Sequence, residues 1–423
     1  MSRWYSLYDR MLSTKRLQEA FEKVKRAKGA GGVDGQSIAD FAENESENLA
    51  LLLEELRTKT YRPLPVRRVI IPKEPAGERL LGIPSVRDRI VQQALLDILQ
   101  PLFEPHFHPS SYAYRPGRGC HHAISKVTMF IREYHLSWAV DLDLSKCFDM
   151  LNHGLILDSF RKQIADGSIL HLLEMFLKSG VMIGGVEHET EQGSPQGGVI
   201  SPLIANVYLD RFDQEMKRRG HRIVRYADDI LILKSSKSGA ENAFEQARKY
   251  LENELKLRVN ETKSRIVQAK EGIPYLGVVI TSSYTSIQDK KVQRFKARVK
   301  GITRKNSPVN LEKVIEELNP VLRGFAYYYR VANCKKVFED LMSWTRRRLR
   351  AKQLALWKKP QRLQRRLRQL GYRERLKLIS MRKWCSSASP VASYAIPNKE
   401  LVRLGLFELT RVQTGVLPTP NRG

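Results

Sequence analysis

Two adjacent carboxylates, Asp228 and Asp229, follow Arg225-Tyr226-Ala227 and lie between two short apolar runs, Ile223-Val224 and Ile230-Leu231-Ile232-Leu233. Neighbouring strand residues point to opposite faces, so consecutive aspartates serve one site only where the backbone turns. The segment reads as a β-hairpin with both acids at its tip, either an Asp-rich surface turn or part of a catalytic centre. A third aspartate favours the second reading. In Trp138-Ala139-Val140-Asp141-Leu142-Asp143-Leu144, alternation sends Val140, Leu142 and Leu144 to one face and Asp141 and Asp143 to the other. Gathering Asp143, Asp228 and Asp229 sets like charges together, and a pair about 4 Å apart repels by about 4 kcal/mol at an effective dielectric near 20. Divalent cations relieve that repulsion. Hard oxygen donors with no His or Cys cluster nearby suit Mg²⁺, with Mn²⁺ as a substitute, water and substrate phosphates completing the shell. Two such ions about 4 Å apart serve in-line phosphoryl or nucleotidyl transfer.

These acids need a scaffold, and 423 residues supply enough chain for roughly two to four domains. No apolar run reaches the length of a membrane span, and Met1-Ser2-Arg3-Trp4-Tyr5 lacks the apolar core of a signal peptide, so the expectation is a cytoplasmic protein with no membrane partner. Cys120, Cys147, Cys334 and Cys385 lie too far apart for a zinc or disulfide framework, and His121 and His122 read as structural. The net charge of +28 is unevenly placed: residues 291–423 hold 32 Lys and Arg against 8 Asp and Glu. So one-sided an excess points to a polyanion, nucleic acid rather than lipid. Within it, Val314, Ile315, Leu318, Leu322, Phe325 and Tyr329 recur at helical spacing, which predicts folded helices rather than a disordered arm.

Residues 9–60 read as two or three helices, broken at Lys28-Gly29-Ala30-Gly31-Gly32-Val33-Asp34-Gly35, where no Gly-Lys-Ser/Thr follows to make a P-loop. Residues 66–84 form a hairpin with a Pro/Gly turn. Lys73 and Arg79 flank that turn, either as plain surface charge or as an ammonium and a forked guanidinium offered to a triphosphate. Ser85 and Asp88 cap a core helix running through Leu102. In Ser110–Gly119, Tyr114, Arg115 and Arg118 interleave aromatic and basic groups, which suits either stacking on bases and phosphate contact or a packed loop. Gln196-Gly197-Gly198 permits close backbone approach, and a helix begins at Ser201-Pro202. A helix over 239–255 and a strand over 256–259 follow the aspartate hairpin.

Taken in order, these segments resemble a known family, the reverse transcriptases, and most closely the group II intron-encoded and intron-like bacterial branch. Tyr226-Ala227-Asp228-Asp229 is similar to the family's YxDD box, Asp143 with Phe148 to its other palm strand, and Gln192–Asn206 to its SPQG box; the resemblance covers roughly residues 30–330. It implies an α+β right-hand polymerase with fingers, an antiparallel-sheet palm and an α-helical thumb. The corresponding division is 1–85 for the N-terminal extension and fingers, 86–290 for the remaining fingers and palm, 291–360 for a maturase-like thumb, and 361–423 for a basic DNA-binding-like segment. The implied metal ligands are Asp143, Asp228 and Asp229. Lys73, Arg79, Phe148, Gln196 and Gly197 would bind dNTP, Phe148 acting as the gate against a 2′ hydroxyl. Lys263 would protonate the pyrophosphate leaving group, Leu276 and Gly277 would grip the primer, and Tyr114, Arg115 and Arg118 would border the template. Implied partners are an RNA template, a DNA or RNA primer, dNTPs and group II intron RNA, with the oligomeric state left open. No His/Cys-rich nuclease module accompanies the basic segment. The activity implied is RNA-directed DNA synthesis. Its alternatives are an RNA-binding splicing maturase, or a host-adopted intron-like polymerase in DNA repair or defence. The intact aspartates favour retained chemistry.

Overall fold

A computed structural model describes residues 3–72, 78–357, 359–371 and 392–419. The chain divides into two compact units: one takes in residues up to Lys126 together with Tyr134–Val267, the other Val127–Glu133 with Gln268–Pro420. The first unit opens with the helix Thr14–Ala27, N-capped by Ser13, which buries Leu17, Ala20, Phe21 and Val24 against the long helix Val86–Phe103. Their helical spacing is what makes one face apolar. The helix Ile38–Glu43 starts in a capping box between Ser37 and Asp40, and Glu45–Arg57 follows directly. The glycine-rich break before them is held by arginines, since Arg67 donates to the carbonyl of Gly31 and Arg89 to that of Ala30.

Among the described residues, the strands of this unit are β1 (Val66–Pro72), β2 (Glu78–Ile83), β3 (Trp138–Leu142), β4 (Val181–Ile183), β5 (Val186–His188), β6 (Arg222–Tyr226), β7 (Asp229–Lys234) and β8 (Arg265–Gln268), the last ending at the unit's boundary. They make two sheets, ordered β2-β1-β4-β5 and β6-β7-β3-β8. In the first, β1 and β2 form the hairpin read from sequence, in register from Arg67↔Ile83 to Pro72↔Glu78. β4 joins β1 in parallel at Val66↔Val181, a pairing with no sequence signal. In the second, β7 runs antiparallel to both neighbours, from Trp138↔Lys234 to Leu142↔Ile230 with β3 and from Arg222↔Leu233 to Tyr226↔Asp229 with β6. Val140, Leu142, Ile230 and Ile232 share one core with Tyr208 and Phe212 of the helix Ser201–Arg218 and with Ala240, Ala243 and Ala247 of the helix Lys237–Lys249. The helix expected over 239–255 ends its α-helical course at Lys249 and closes in a π-helical turn, Tyr250–Glu254. The strand expected over 256–259 shrinks to one bridge, Leu144↔Val259, because Lys256 takes a left-handed φ of 52° that breaks the extended path.

The second unit pairs a small antiparallel sheet, β9 (Ile273–Tyr275), β10 (Val278–Ile280) and β11 (Thr285–Ile287), with the helices Asp289–Ile302, Leu311–Tyr329, Lys335–Trp357 and Pro360–Gln369. Leu311–Tyr329 buries Val314, Ile315, Leu318, Leu322, Phe325 and Tyr329, the stripe expected from spacing. The divisions expected at 290 and 360 both fall inside this unit. Three-residue strands need a partner surface, which places β9–β11 with the helices. Pro360–Gln369 buries Leu363 and Leu367, while Arg350 donates to the carbonyl of Ile396 at 2.8 Å and Arg346 pairs with Glu408, tying residues 392–419 to Lys335–Trp357. Among the described residues, no helix is long and apolar enough to cross a membrane.

Candidate active site

The aspartate hairpin closes through the pair Tyr226↔Asp229, leaving Ala227 and Asp228 as a two-residue turn. Such tight turns match strand twist only with a positive φ at the first central residue. Ala227 supplies it at 57°, where a side chain costs about 1 kcal/mol. Asp143 stands one residue beyond the last pair of β3 with β7, Leu142↔Ile230, and so at the same sheet end as Asp228 and Asp229. Its backbone is fixed on both sides: its N–H donates to Ser264 Oγ at 3.1 Å and its carbonyl accepts from Asn260 N at 2.8 Å. Lys263 Nζ lies 3.5 Å from Asp143 Oδ2, so the two side chains are neighbours. The bridge Leu144↔Val259 is flanked by bonds from Ser145 N to Arg258 O and from Asn260 N to Asp143 O, the pattern of a non-hydrogen-bonded pair. The Leu144 carbonyl therefore points away from that strand, whereas Ala139 lies within a ladder with neighbours on both sides.

Among the described residues, no three acidic, His or Cys side chains converge closely enough to enclose an ion on their own. Asp143 and Asp228, both partly exposed, are hard oxygen donors with room for water and substrate phosphate beside them. That donor set fits a divalent cation of the hard class, which takes few carboxylates and fills its shell from solvent and substrate.

Phe148 lies in the turn that follows Asp143. Lys146 turns the chain with a φ of 47°, and Cys147–Met150 forms a 3₁₀ turn that leaves Phe148 partly buried. The Cys147 thiol is pushed up to about 12 by burial and then by the charge of Asp228, so it is a packing group rather than a nucleophile. The turn is bonded to the Gln-Gly box: Gly193 N donates to Leu151 O at 2.7 Å and Ser194 N to Phe148 O at 2.8 Å. The box in turn meets β2, whose Gly82 N donates to Gln196 O at 2.8 Å. Gly197 has a φ of 121°, and a Cβ there would stand 2.5 Å from the Gly82 carbonyl oxygen, so this position excludes every side chain. Arg79 is exposed on the same strand, opposite Ile71. Lys73 lies outside the described residues.

The Ser110–Gly119 loop corrects one expectation. Arg115 does not face outward: its side chain is 2% exposed, pairs with Glu104 at 2.7 Å, and donates to the carbonyls of His108 and Ser111. Arg118 is similarly engaged with the carbonyls of Pro109 and Ser111. A guanidinium has enough donors to hold a loop together from within, and these two spend theirs that way. Tyr114 remains outward, 53% exposed, at a φ of 58°. Burial raises its phenol pKa, with Asp228 adding to the shift and Arg79 opposing it, so all three share one neighbourhood. Leu276 and Gly277 occupy the second unit as a two-residue turn with φ of 44° and 84°, held by the Tyr328 hydroxyl on the Leu276 carbonyl at 2.9 Å.

His108 anchors the start of the same loop, its Nδ1 accepting from Ser110 N at 3.1 Å, which requires neutral imidazole. Burial pushes its pKa down to about 4. Its share of stability is complete above pH 6.5 and is lost as pH falls toward 4, about 3 kcal/mol in all. Asp210, raised to about 6 by burial and then by Asp213, runs the opposite way, stabilising most below its unfolded pKa and losing that as pH rises through 6. The two nearly cancel. In His108→Asn only the Asp210 effect remains, so the variant gains about 3 kcal/mol relative to wild type between pH 6.5 and 4. Urea midpoints at the two pH values test this, and identical pH dependence in both proteins would refute it.

Three supports lay outside the sequence reading. The buried Gln92 accepts from Val199 N at 2.8 Å and Ile200 N at 3.4 Å, fixing the two residues that lead into the helix Ser201–Arg218. Ser264 receives the Asp143 amide. Arg225 is fully buried, and the only sequence signal for it is a charge inside an apolar strand.

Comparison with known proteins decides what this arrangement is. Residues 71–280 match the family described as reverse transcriptase (RNA-dependent DNA polymerase), and residues 292–371 match the group II intron, maturase-specific domain. Protein YkfC of Escherichia coli is 36% identical over 300 residues, covering 62% of this chain and 79% of its own length. This chain belongs to the reverse transcriptase family. It falls in the group II intron branch and has that family's right-hand polymerase fold, a nucleotidyltransferase architecture whose members use divalent metal ions. The group II intron-encoded protein LtrA of Lactococcus lactis is 29% identical over 326 residues, 61% of this chain. A putative COX1/OXI3 intron 2 protein of Saccharomyces cerevisiae is 27% identical over 316 residues, also 61% of this chain. The reverse transcriptase described here spans 53% of LtrA and 37% of the yeast protein.

Proposed function

We propose that this chain extends a DNA or RNA primer on an RNA template by adding dNTPs, with Mg²⁺ as its metal and Mn²⁺ able to substitute. The observation that carries this reading is the placement of Asp143, Asp228 and Asp229 at one end of one sheet, with Lys263 against Asp143. Paired ions bound there would activate the primer 3′ hydroxyl and neutralise charge on the departing pyrophosphate. Asp143 and Asp228 are the primary ligands and Asp229 supports them. Lys263 gives a proton to the pyrophosphate, its ammonium already drawn to this edge by Asp143. Arg79, with Lys73, receives the triphosphate, and Gln196 and Gly197 present backbone to the nucleotide. Tyr114 stacks on the template side, while Leu276 and Gly277 steady the primer. We assign the fingers to the β2-β1-β4-β5 sheet, the palm to the β6-β7-β3-β8 sheet and the thumb to the helices from Asp289 onward. Intron RNA is a further partner, through the maturase-specific domain. A splicing role alone would leave the three aspartates without a task.

Primer extension on matched RNA and DNA templates tests the proposal. Mg²⁺-dependent incorporation of dNTPs on RNA, stopped by EDTA, is the expected result; no extension on either template with either metal would end it.

Phe148 sets sugar selectivity in this reading. An aromatic ring beside the 2′ carbon leaves no room for a hydroxyl and offers it no hydrogen-bond partner, worth about 2 to 5 kcal/mol, or roughly 30-fold to several thousand-fold in discrimination. Phe148→Ala then raises ribonucleotide incorporation while dNTP use falls much less. Equal loss of both activities would make Phe148 a packing residue only.

A further inference from the structure

Arg225 is the most deeply buried cation of the first unit, at 0% exposure, and it lies three positions before Asp228. Its guanidinium pairs with Asp213, also at 0%, through Nη2 at 2.7 Å and through Nε at 2.8 and 2.9 Å. An ion pair alone would use one side of the fork. The other side is also occupied: Nη1 donates to Asn206 Oδ1 at 3.0 Å and to the Ala227 carbonyl at 3.1 Å, and Nη2 donates to Ser111 Oγ at 2.9 Å. The Ala227 carbonyl belongs to the residue held at positive φ, immediately before Asp228. The backbone of Arg225 is engaged as well, its N–H donating to Ser110 O at 2.9 Å and its carbonyl accepting from Tyr112 N at 3.0 Å. Asn206 completes the circuit by donating to the Ala113 carbonyl at 2.9 Å, next to Tyr114.

We infer that Arg225 is a positioning residue for the catalytic aspartates, a buried hub that fixes the Ala227 turn and locks it to the loop carrying Tyr114. The assignment rests on the polymerase reading above. Three elements distant in sequence meet on one planar cation: the aspartate hairpin, the Ser110–Gly119 loop and the helix that follows the Gln-Gly box. No other natural side chain offers five donors in a fixed plane. Lysine would keep the charge opposite Asp213 but could not reach Ala227 and Ser111 together. A turn with one left-handed alanine is a sparsely populated conformation that persists only where its surroundings over-determine it, and the bond to the Ala227 carbonyl is such a constraint. With that bond gone the tip relaxes, the carboxylates of Asp228 and Asp229 lose their fixed aim, and a metal site built from few protein ligands suffers directly.

Two variants separate this role from simple stability. Arg225→Met with Asp213→Leu removes both charges together, which avoids the uncompensated buried charge that either change alone would leave. Arg225→Lys keeps the pair but drops the bonds to Ala227 and Ser111. In each, thermal unfolding gives the folded fraction, filter binding gives primer–template affinity, and steady-state extension gives kcat against Mg²⁺ concentration. The expected result is a folded protein with unchanged primer–template affinity, kcat lower by about 100-fold, and a higher half-saturating Mg²⁺ concentration. Two further readouts need no turnover: Mn²⁺ binding followed by electron paramagnetic resonance, and amide hydrogen exchange across residues 227–230. Weaker Mn²⁺ binding and faster exchange are expected in both variants. Wild-type kcat and metal dependence in the folded proteins would overturn the inference, as would losses that merely track the folded fraction. Should the wild type itself fail to extend primers, the polymerase reading falls, and unchanged Mn²⁺ binding and exchange in the variants would then separately overturn the role of Arg225.

Discussion

Asp228→Asn is expected to lower nucleotide addition by about 10³-fold or more, because the amide keeps the shape of the carboxylate but neither neutralises a cation nor binds it as a hard anion. Asp143→Asn should match it. Primer–template affinity should change little in either, since backbone phosphates are held by basic surface rather than by this acidic edge. The informative control is Asp141→Asn. Asp141 lies two residues before Asp143, but it sits in the ladder opposite Leu231 and its carboxylate is 3.4 Å from Arg265. Burial raises its pKa, with Arg265 opposing that shift, the signature of a structural pair. Its loss should leave most of the turnover intact. Single-turnover extension with saturating primer–template measures all three, and near-normal extension by Asp228→Asn would remove the assignment.

Salt supplies the second large effect. If six to ten phosphates are contacted, raising salt from 50 to 200 mM weakens primer–template binding by roughly 10³- to 10⁵-fold. Deleting residues 361–423 would be a poor probe of where those contacts lie, because Leu363 and Leu367 are buried and Glu408 is paired with Arg346. Charge neutralisation avoids that damage. Pro360–Gln369 turns Arg362, Arg365 and Arg368 to solvent on the face opposite those leucines. Replacing the three with glutamine should reduce the slope of log affinity against log salt by about 0.9 for each that meets a phosphate of a duplex. An unchanged slope would place the contacts on other basic residues.

What could be read beforehand depended on how local each signal was. The Asp228–Asp229 hairpin announces itself within ten residues, by two apolar runs around a turn, and Asp143 by alternation within one strand. The apolar stripe of Leu311–Tyr329 is equally local. Arg115 was misjudged because composition cannot say whether a guanidinium points to solvent or folds back on carbonyls, and here the partners include Glu104, eleven positions upstream. Gln92 holds the entry to a helix more than a hundred residues away, a relation no spacing rule covers. Charge density marks residues after 360 as basic, but it does not show that Leu363, Leu367, Ile396 and Leu409 are buried. Arg225 was visible as a charge in an apolar strand, yet its partners Asp213, Asn206 and Ser111 converge only in three dimensions.

The parallel pairing of β1 with β4 bears on how this chain is made. Val66 meets Val181 across more than a hundred intervening positions. At a synthesis rate of about 5 to 20 residues per second, one edge of the β1–β2 hairpin waits roughly 6 to 20 s without its neighbour. The exposed edge of a nascent sheet is a template for wrong partners, and β1 carries Ile70 and Ile71, still 55% and 42% exposed in the finished fold. Its other residues counter the hazard. Arg67 and Arg68 bring like charge to any second copy, and Pro72 withholds an N–H at the strand's end. Substituting Arg68 with valine, which leaves the bonds from Arg67 to Gly31 in place, would therefore show its damage first in the yield of soluble protein from the ribosome.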